Sequence, residues 1–337
     1  AIVAGNCVIM KPSKTSVHTS EFIRTMCEEV FDSHFVFCLH GSDEMNDWLL
    51  EVNFDKIMFT GSPRVGKLIM KHAADSLTSV TLELGGKSPL FIDKAANIRR
   101  AAERVTWGKC LNSGQTCVAP DYALVHESVA DEFVKWMGHY LHKFYGDDIL
   151  ASPDYPHMIN QKHFEEVCGL IDKRTSGCEI ALGGRRNAAT LQIEPTVLTG
   201  VTLDDPVMGQ EIFGPVLPII TWNNVDEAID VTRTFGHPLA CYIFSNDKTF
   251  QKAILDRVPS GGAVINDVVI HVANNNMGFG GLQNSGIGAY HGKVGFDCFT
   301  HYKSTSKKTT LFDIPVRNPP FNKMSMRILR LLVPPPR

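Results

Sequence analysis

Lys56-Ile57-Met58-Phe59-Thr60-Gly61-Ser62-Pro63-Arg64-Val65-Gly66 begins as a short apolar run, halts at a glycine and restarts with residues that begin helices. Ser62 suits a helix N-cap, and Pro63 suits the first turn, where its missing N–H costs nothing. The stretch reads as strand, turn, helix. Free N–H groups at such a helix start suit a phosphate, but the glycine spacing falls short of the full G-x-G-x-x-G fingerprint.

Outward from it the same alternation repeats. Residues 3–10, 35–39, 56–60 and 80–84 read as strands, and residues 17–31 and 64–74 carry apolar side chains at helical spacing. Short β-rich runs separated by amphipathic helices predict β-α-β units and a doubly wound parallel sheet. The pattern continues with helices over 95–111 and 129–144 and strands over 216–222 and 240–245, enough for a second α/β domain. Residues 273–288 are rich in Gly and Asn, which predicts a loop with unusual backbone angles.

Composition narrows the function. The chain has 337 residues, 44% of them hydrophobic, enough to bury a large core. A formal charge of -3 argues against nucleic acid as a partner. Nine cysteines show no C-x-x-C pair or metal-like spacing, so they read as reduced intracellular thiols, with no metal site. No apolar run approaches the roughly 20 residues a spanning helix needs. Residues 303–337 hold eight Lys or Arg against one acid, Asp313, an asymmetry that marks an interaction tail.

Three acidic or thiol side chains could carry chemistry. Cys117 follows Gly114-Gln115-Thr116, where the preceding helix breaks and a thiol can meet a substrate beside unspent backbone N–H groups. Glu83 lies in Val80-Thr81-Leu82-Glu83-Leu84-Gly85-Gly86, on the strand face opposite its apolar neighbours and before two glycines. Glu211 opens Glu211-Ile212-Phe213-Gly214-Pro215. By themselves these residues read equally as a buried thiol, a strand acid and a surface loop acid.

Together they resemble the aldehyde dehydrogenase superfamily. The segments that carry the likeness are Leu82-Glu83-Leu84-Gly85-Gly86-Lys87-Ser88-Pro89 and Gly114-Gln115-Thr116-Cys117. Lys11-Pro12-Ser13, Gly61-Ser62 with Val65-Gly66, Glu211 to Pro215, and Phe279-Gly280-Gly281 with Asn284-Ser285-Gly286 follow in the family's order. Cys117-Val118-Ala119-Pro120-Asp121-Tyr122 and Tyr290-His291-Gly292-Lys293 look most like the class 3 branch. The likeness covers roughly residues 1–305.

The resemblance implies a Rossmann-like cofactor domain over residues 1–90 that lacks its leading strands, and a catalytic domain over 91–285. A return segment with an oligomerisation strand would occupy 286–310, and a basic, Pro-rich tail 311–337. It implies NAD(P)-dependent oxidation of medium-chain, long-chain or aromatic aldehydes to carboxylic acids. Cys117 would be the nucleophile, its own N–H holding part of the oxyanion, and Glu83 the base that activates water. Lys11 and Ser13 would meet the adenosine ribose, and the Gly61, Ser62 and Val65 helix start the pyrophosphate. Glu211 would hold the nicotinamide ribose and Phe213 border the nicotinamide. A homodimer joined near residues 302–305 and a cytoplasmic location are further expectations, with peripheral membrane contact through the tail.

Some features depart from that pattern. The chain starts at Ala1 rather than Met and resembles an N-terminally truncated member, and the family's oxyanion asparagine belongs to a stretch before Ala1. An impaired homologue that keeps the fold for oligomerisation or membrane association is thus the alternative expectation; a cofactor-independent esterase at Cys117 is its chemical rival. Lys14 stands where many relatives place a glutamate that binds the ribose hydroxyls, and a cation there attracts a 2′-phosphate. Lys14→Glu should therefore shift the ratio of kcat/KM for NADP over NAD towards NAD. Unchanged ratios would remove Lys14 from cofactor choice.

Overall fold

The longest continuous apolar runs become the most buried strands, as expected where helices cover both sheet faces. The computed structural model describes residues 1–39, 43–313, 316 and 318–333. Residues 1–300 form one unit and 301–337 another.

In the first unit, β1 (Val8–Met10) and β2 (Val36–Cys38) pair in parallel around helix α1 (Val17–Val30). Helix α2 (Asp43–Glu51) leads to β3 (Lys56–Gly61), α3 (Pro63–Asp75) and β4 (Ser79–Leu84). Strands β3 and β4 are parallel, with Thr60 opposite Glu83. Ser62 caps α3 through Val65 N–H, and Pro63 occupies its first turn, as the sequence predicts. A Cβ on Gly66 would sit 2.7 Å from Leu84 Cδ2, so the glycine lets α3 lie close on β4.

Two sequence expectations change here. The strand expected over residues 3–10 is only Val8–Met10; Ile2–Ala4 forms a 3-10 turn that Gly5 closes at φ 83°. The four leading strands also do not make one sheet: β1 pairs with β2, and β3 with β4. The free edge of β4 is taken by β14 (Gly286–Ile287), which arrives antiparallel from the Gly- and Asn-rich loop and sets Gly286 opposite Glu83. In that loop Gln283, Gly286 and Gly288 all have positive φ.

The chain crosses to the larger sheet at residues 85–88, just before the boundary expected at residue 90. That sheet has seven strands in the order β13, β12, β5, β6, β11, β10, β7. They are β5 (Pro89–Ile92), β6 (Tyr122–His126), β7 (Glu179–Leu182), β10 (Thr196–Thr199), β11 (Val216–Trp222), β12 (Ala240–Phe244) and β13 (Gly262–Ile265). A hairpin of β8 (Arg186–Asn187) and β9 (Gln192–Ile193) stands apart. All neighbours in the larger sheet are parallel except β10 with β7.

Helices α4 (Ile98–Cys110), α5 (Ala130–Tyr145), α6 (Gln161–Asp172), α7 (Val225–Arg233) and α8 (Lys248–Arg257) connect these strands. Asn97, Asn160, Asn224 and Asp247 cap α4, α6, α7 and α8, each accepting from a first-turn N–H. The core falls into two main clusters. Phe91, Leu124 and Ile243 belong to one, while Leu90, Ile92, Ala123 and Tyr242 belong to the other, so alternate residues of each strand face opposite layers. Helix α9 (Gly292–Cys298) ends the unit.

The second unit has no regular structure over residues 301–309, where an oligomerisation strand was expected, and contains α10 (Lys323–Leu332). Asn322 caps α10 by accepting from Met324 and Ser325 N–H. Among the described residues no helix is long and apolar enough to cross a membrane.

Candidate active site

Cys117 sits in the turn between α4 and β6, Glu83 at the end of β4, and Glu211 in the loop before β11. The structure draws these segments, far apart in sequence, around one buried ion pair. Lys87 Nζ lies 2.5 Å from Asp121 Oδ2, both side chains almost wholly buried. The same ammonium donates to Val207 O (2.9 Å) and Gln210 O (2.8 Å), and Asp121 Oδ1 accepts from Ile212 N–H at 2.9 Å. Each polar group is satisfied, so the segments around residues 83–88, 117–122 and 207–212 hold one arrangement.

Glycines then let the backbones meet. A Cβ on Gly85 would lie 1.9 Å from Glu211 Oε2, so any larger residue would expel the carboxylate. Gly114 has φ +71° and a Cβ there would strike Gly214 O at 2.3 Å, closing the cysteine turn against the Glu211 loop. Asn112 and Ser113, just before it, also have positive φ, so the helix ends in three successive left-handed residues. Side-chain bonds hold that strained turn. Ser113 Oγ donates to Pro156 O (2.7 Å), and Gln115 donates to Asn112 O and His157 O while accepting from Ile159 N–H.

The Cys117 thiol and the Glu83 carboxyl lie close enough for each to shift the other's proton affinity. Glu83 is 2% exposed, and its Oε1 has no hydrogen-bond partner. Burial pushes its pKa up to about 7, against the opposing thiol contact. Burial, then the Glu83 charge, raises the Cys117 thiol to about 12. The resting thiol is therefore protonated, with a carboxyl nearby that titrates in the neutral range. Glu211 is raised to about 8, chiefly by burial and then by Asp121, while Gly86 N–H and Lys87 favour its charged form.

An apolar cluster with aromatic members packs behind the thiol. Tyr290 and Cys117 pack on one apolar cluster with Phe279 and Tyr242. Tyr242 OH donates to Val118 O. Phe279 meets Tyr290 edge-on at 5.7 Å and stacks on His291 at 5.4 Å.

The remaining candidates lie elsewhere. Lys11 and Ser13 follow β1 and bond locally, Lys11 Nζ to Pro12 O and Ser13 Oγ to Thr15 N–H. Lys14 beside them is exposed. Phe213 is partly exposed at φ 49°, its carbonyl held by His163 Nε2 at 2.7 Å. The donor set fits a dinucleotide: an exposed, Ser-capped helix start for phosphate, polar residues after β1, and a carboxylate in a space only Gly85 leaves open.

Lys109 is a feature that sequence reading missed. It is 2% exposed in the last turn of α4, with Nζ 2.9 Å from Pro120 O. A lysine late in a helix reads as a solvated cation completing the dipole, and only the packing shows otherwise.

A protonated thiol beside a buried carboxyl, with a Ser-capped helix start after the neighbouring strand, offers a nucleophile, a base and an anion-binding terminus in one region. Residues 1–305 match the aldehyde dehydrogenase family, and the chain belongs to it. Over 95% of its length it is 42% identical to 4,4'-diaponeurosporen-aldehyde dehydrogenase of Staphylococcus aureus, covering 70% of that protein. It is 43% identical to the dimeric NADP-preferring aldehyde dehydrogenase of Rattus norvegicus, over 92% of this chain and 68% of the relative. The rat aldehyde dehydrogenase family 3 member A2 is 44% identical, over 90% of this chain and 62% of the relative. The chain thus spans between 62% and 70% of the length of these curated relatives.

Among solved structures, a substrate-bound Staphylococcus aureus AldH superposes with TM-score 0.95 at 41% identity, over 99% of this chain and 72% of that one. The betaine aldehyde dehydrogenase of Staphylococcus aureus with bound NAD+ gives 0.77 at 29% identity, over 86% and 59%.

The ion pair is the most exposed part of this description to test. Asp121→Asn leaves Lys87 buried without its counter-charge, which costs about 3–5 kcal/mol. Urea unfolding of the two chains measures it, and a loss below about 1 kcal/mol would contradict a central structural role.

Proposed function

We propose that the chain oxidises aldehydes to carboxylic acids with NAD or NADP, through a thiohemiacetal and a thioester on Cys117. The observation that carries this reading is a Cys117 thiol beside the buried Glu83 carboxyl, which burial holds near pKa 7. Glu83 accepts the thiol proton and passes it on to solvent before the second half-reaction, and Sγ forms a bond to the aldehyde carbon. The resulting oxyanion lies by the Cys117 N–H at the turn. The nicotinamide, when bound, accepts the hydride that leaves this carbon. Ionised Glu83 then takes a proton from water, the water oxygen adds to the thioester, and the acid departs as the thiol is restored. Glu211 orients the ribose from its niche beside Gly85, and the α3 start meets the pyrophosphate.

The apolar cluster against which Cys117 packs, with half-buried Tyr290 at its edge, favours medium- or long-chain or aromatic aldehydes. A relative is named 4,4'-diaponeurosporen-aldehyde dehydrogenase. Lys14 beside Ser13 supports use of NADP, and another relative is named NADP-preferring and dimeric. The relative named dimeric supports a homodimer, and the unpatterned free cysteines support a cytoplasmic location.

Glu83 is a base only when ionised, so turnover should rise with pH through about 7 and fall away below it. Glu83→Gln should lower steady-state turnover about 10²- to 10⁴-fold and abolish that limb. A variant with an unchanged pH–rate profile would remove Glu83 from the chemistry.

The tail supports peripheral membrane contact. In α10, Lys323, Arg327 and Arg330 recur at helical spacing among exposed Met324, Met326, Leu331 and Leu332. The chain should float with anionic but not neutral vesicles, and lose flotation when residues 322–337 are deleted. Equal flotation after deletion would overturn this.

A further inference from the structure

Lys109 touches both ends of the turn that carries the nucleophile. Its carbonyl oxygen lies 3.1 Å from the position a Cβ on Gly114 would take, so its backbone abuts the start of the turn. Its ammonium donates to Pro120 O at 2.9 Å, at the end of the turn. Cys117 lies midway between these two anchors. Among the described residues this is the one hydrogen bond of a side chain with three donors, in a residue 2% exposed.

Burying a cation with so few acceptors is costly, and here the cost is visible. Burial lowers the Lys109 pKa to about 8; Asp121, Cys110 and Glu211 favour the charge while Lys87 opposes it. Lys87 already neutralises Asp121, so Lys109 is not needed to complete that pair. An apolar side chain would fill the same space more cheaply. What only a long donor supplies is the link from α4 across the turn to Pro120.

Resting on the dehydrogenase reading, we propose that Lys109 is a positioning residue for the nucleophile. Its ammonium pins Pro120 and thereby holds the 114–120 turn, with Cys117 and its N–H, in place against Glu83. Ser113 and Gln115 tie the start of the turn, where Asn112 and Ser113 are strained; the Lys109 bond ties its far end at Pro120. Misplacing a reacting atom by about 1 Å costs about 100-fold, so the effect falls on chemistry rather than on binding.

The test compares Lys109→Met and Lys109→Arg with the unmutated chain. Lys109→Met should lower kcat about 10- to 100-fold while aldehyde KM and the cofactor Kd stay within about threefold. Lys109→Arg, which keeps a cation for Pro120 O, should recover most of that loss. In the absence of cofactor, iodoacetamide should alkylate Cys117 about tenfold faster in Lys109→Met at pH 8, because a loosened turn relieves the burial that raises the thiol pKa. Chains with matching thermal unfolding curves exclude global loosening as the cause. Unchanged kcat and alkylation, or alkylation that falls together with kcat, would overturn the proposal.

Two further arms keep the outcomes separate. If the unmutated chain shows no NAD(P)-dependent turnover, the dehydrogenase reading fails for this chain, and the alkylation arm still decides whether Lys109 holds the turn. If Lys109→Met does not fold, Lys109→Gln, whose amide falls short of Pro120 O, takes its place: faster alkylation with lower kcat supports the clamp, and both unchanged overturn it.

Discussion

Everything at the site depends on two opposite charges taken out of water together. Lys87 and Asp121 are worth burying only because each also satisfies backbone groups: two carbonyls for the ammonium and Ile212 N–H for the carboxylate. Those bonds reach into the segment after Glu83, the segment after Cys117 and the loop around Glu211. Chain entropy alone would scatter these segments, since they meet across long stretches of sequence. The glycines at 85 and 114 are the steric counterpart, clearing the close approaches that the ion pair enforces.

The same low-dielectric surroundings set the proton chemistry. Removing water raises Glu83 and Glu211 into the neutral range and keeps the Cys117 thiol protonated until a base acts. A carboxyl raised from 4.5 to about 7 retains a proton in the fold that the unfolded chain has released. The native state therefore loses stability as the pH climbs from 4.5 to about 7. The site carries that cost in exchange for a base poised at neutral pH.

Much of this was legible in the sequence. The 56–66 stretch predicts its strand, cap and helix because all three are set by neighbouring residues, and the order of motifs points to Cys117, Glu83 and Glu211 together. Lys109 was hidden, since nothing in its neighbours distinguishes a buried lysine from a solvated one. The partition of β1 to β4 into two sheets was hidden for a similar reason: β14 claims the edge of β4 from some two hundred residues away, and strand pairing at that range leaves no local mark. The short reach of β1 also escaped, because apolar residues 2–4 match a half-buried turn as well as a strand.

The most direct measurement is the mass of Cys117 itself after the chain is mixed with an apolar aldehyde and NAD or NADP and quenched in acid. The account predicts an acyl group on the Cys117 peptide that forms only when both aldehyde and cofactor are present. An unmodified Cys117, or an acyl group that appears without cofactor or on another residue, would contradict it.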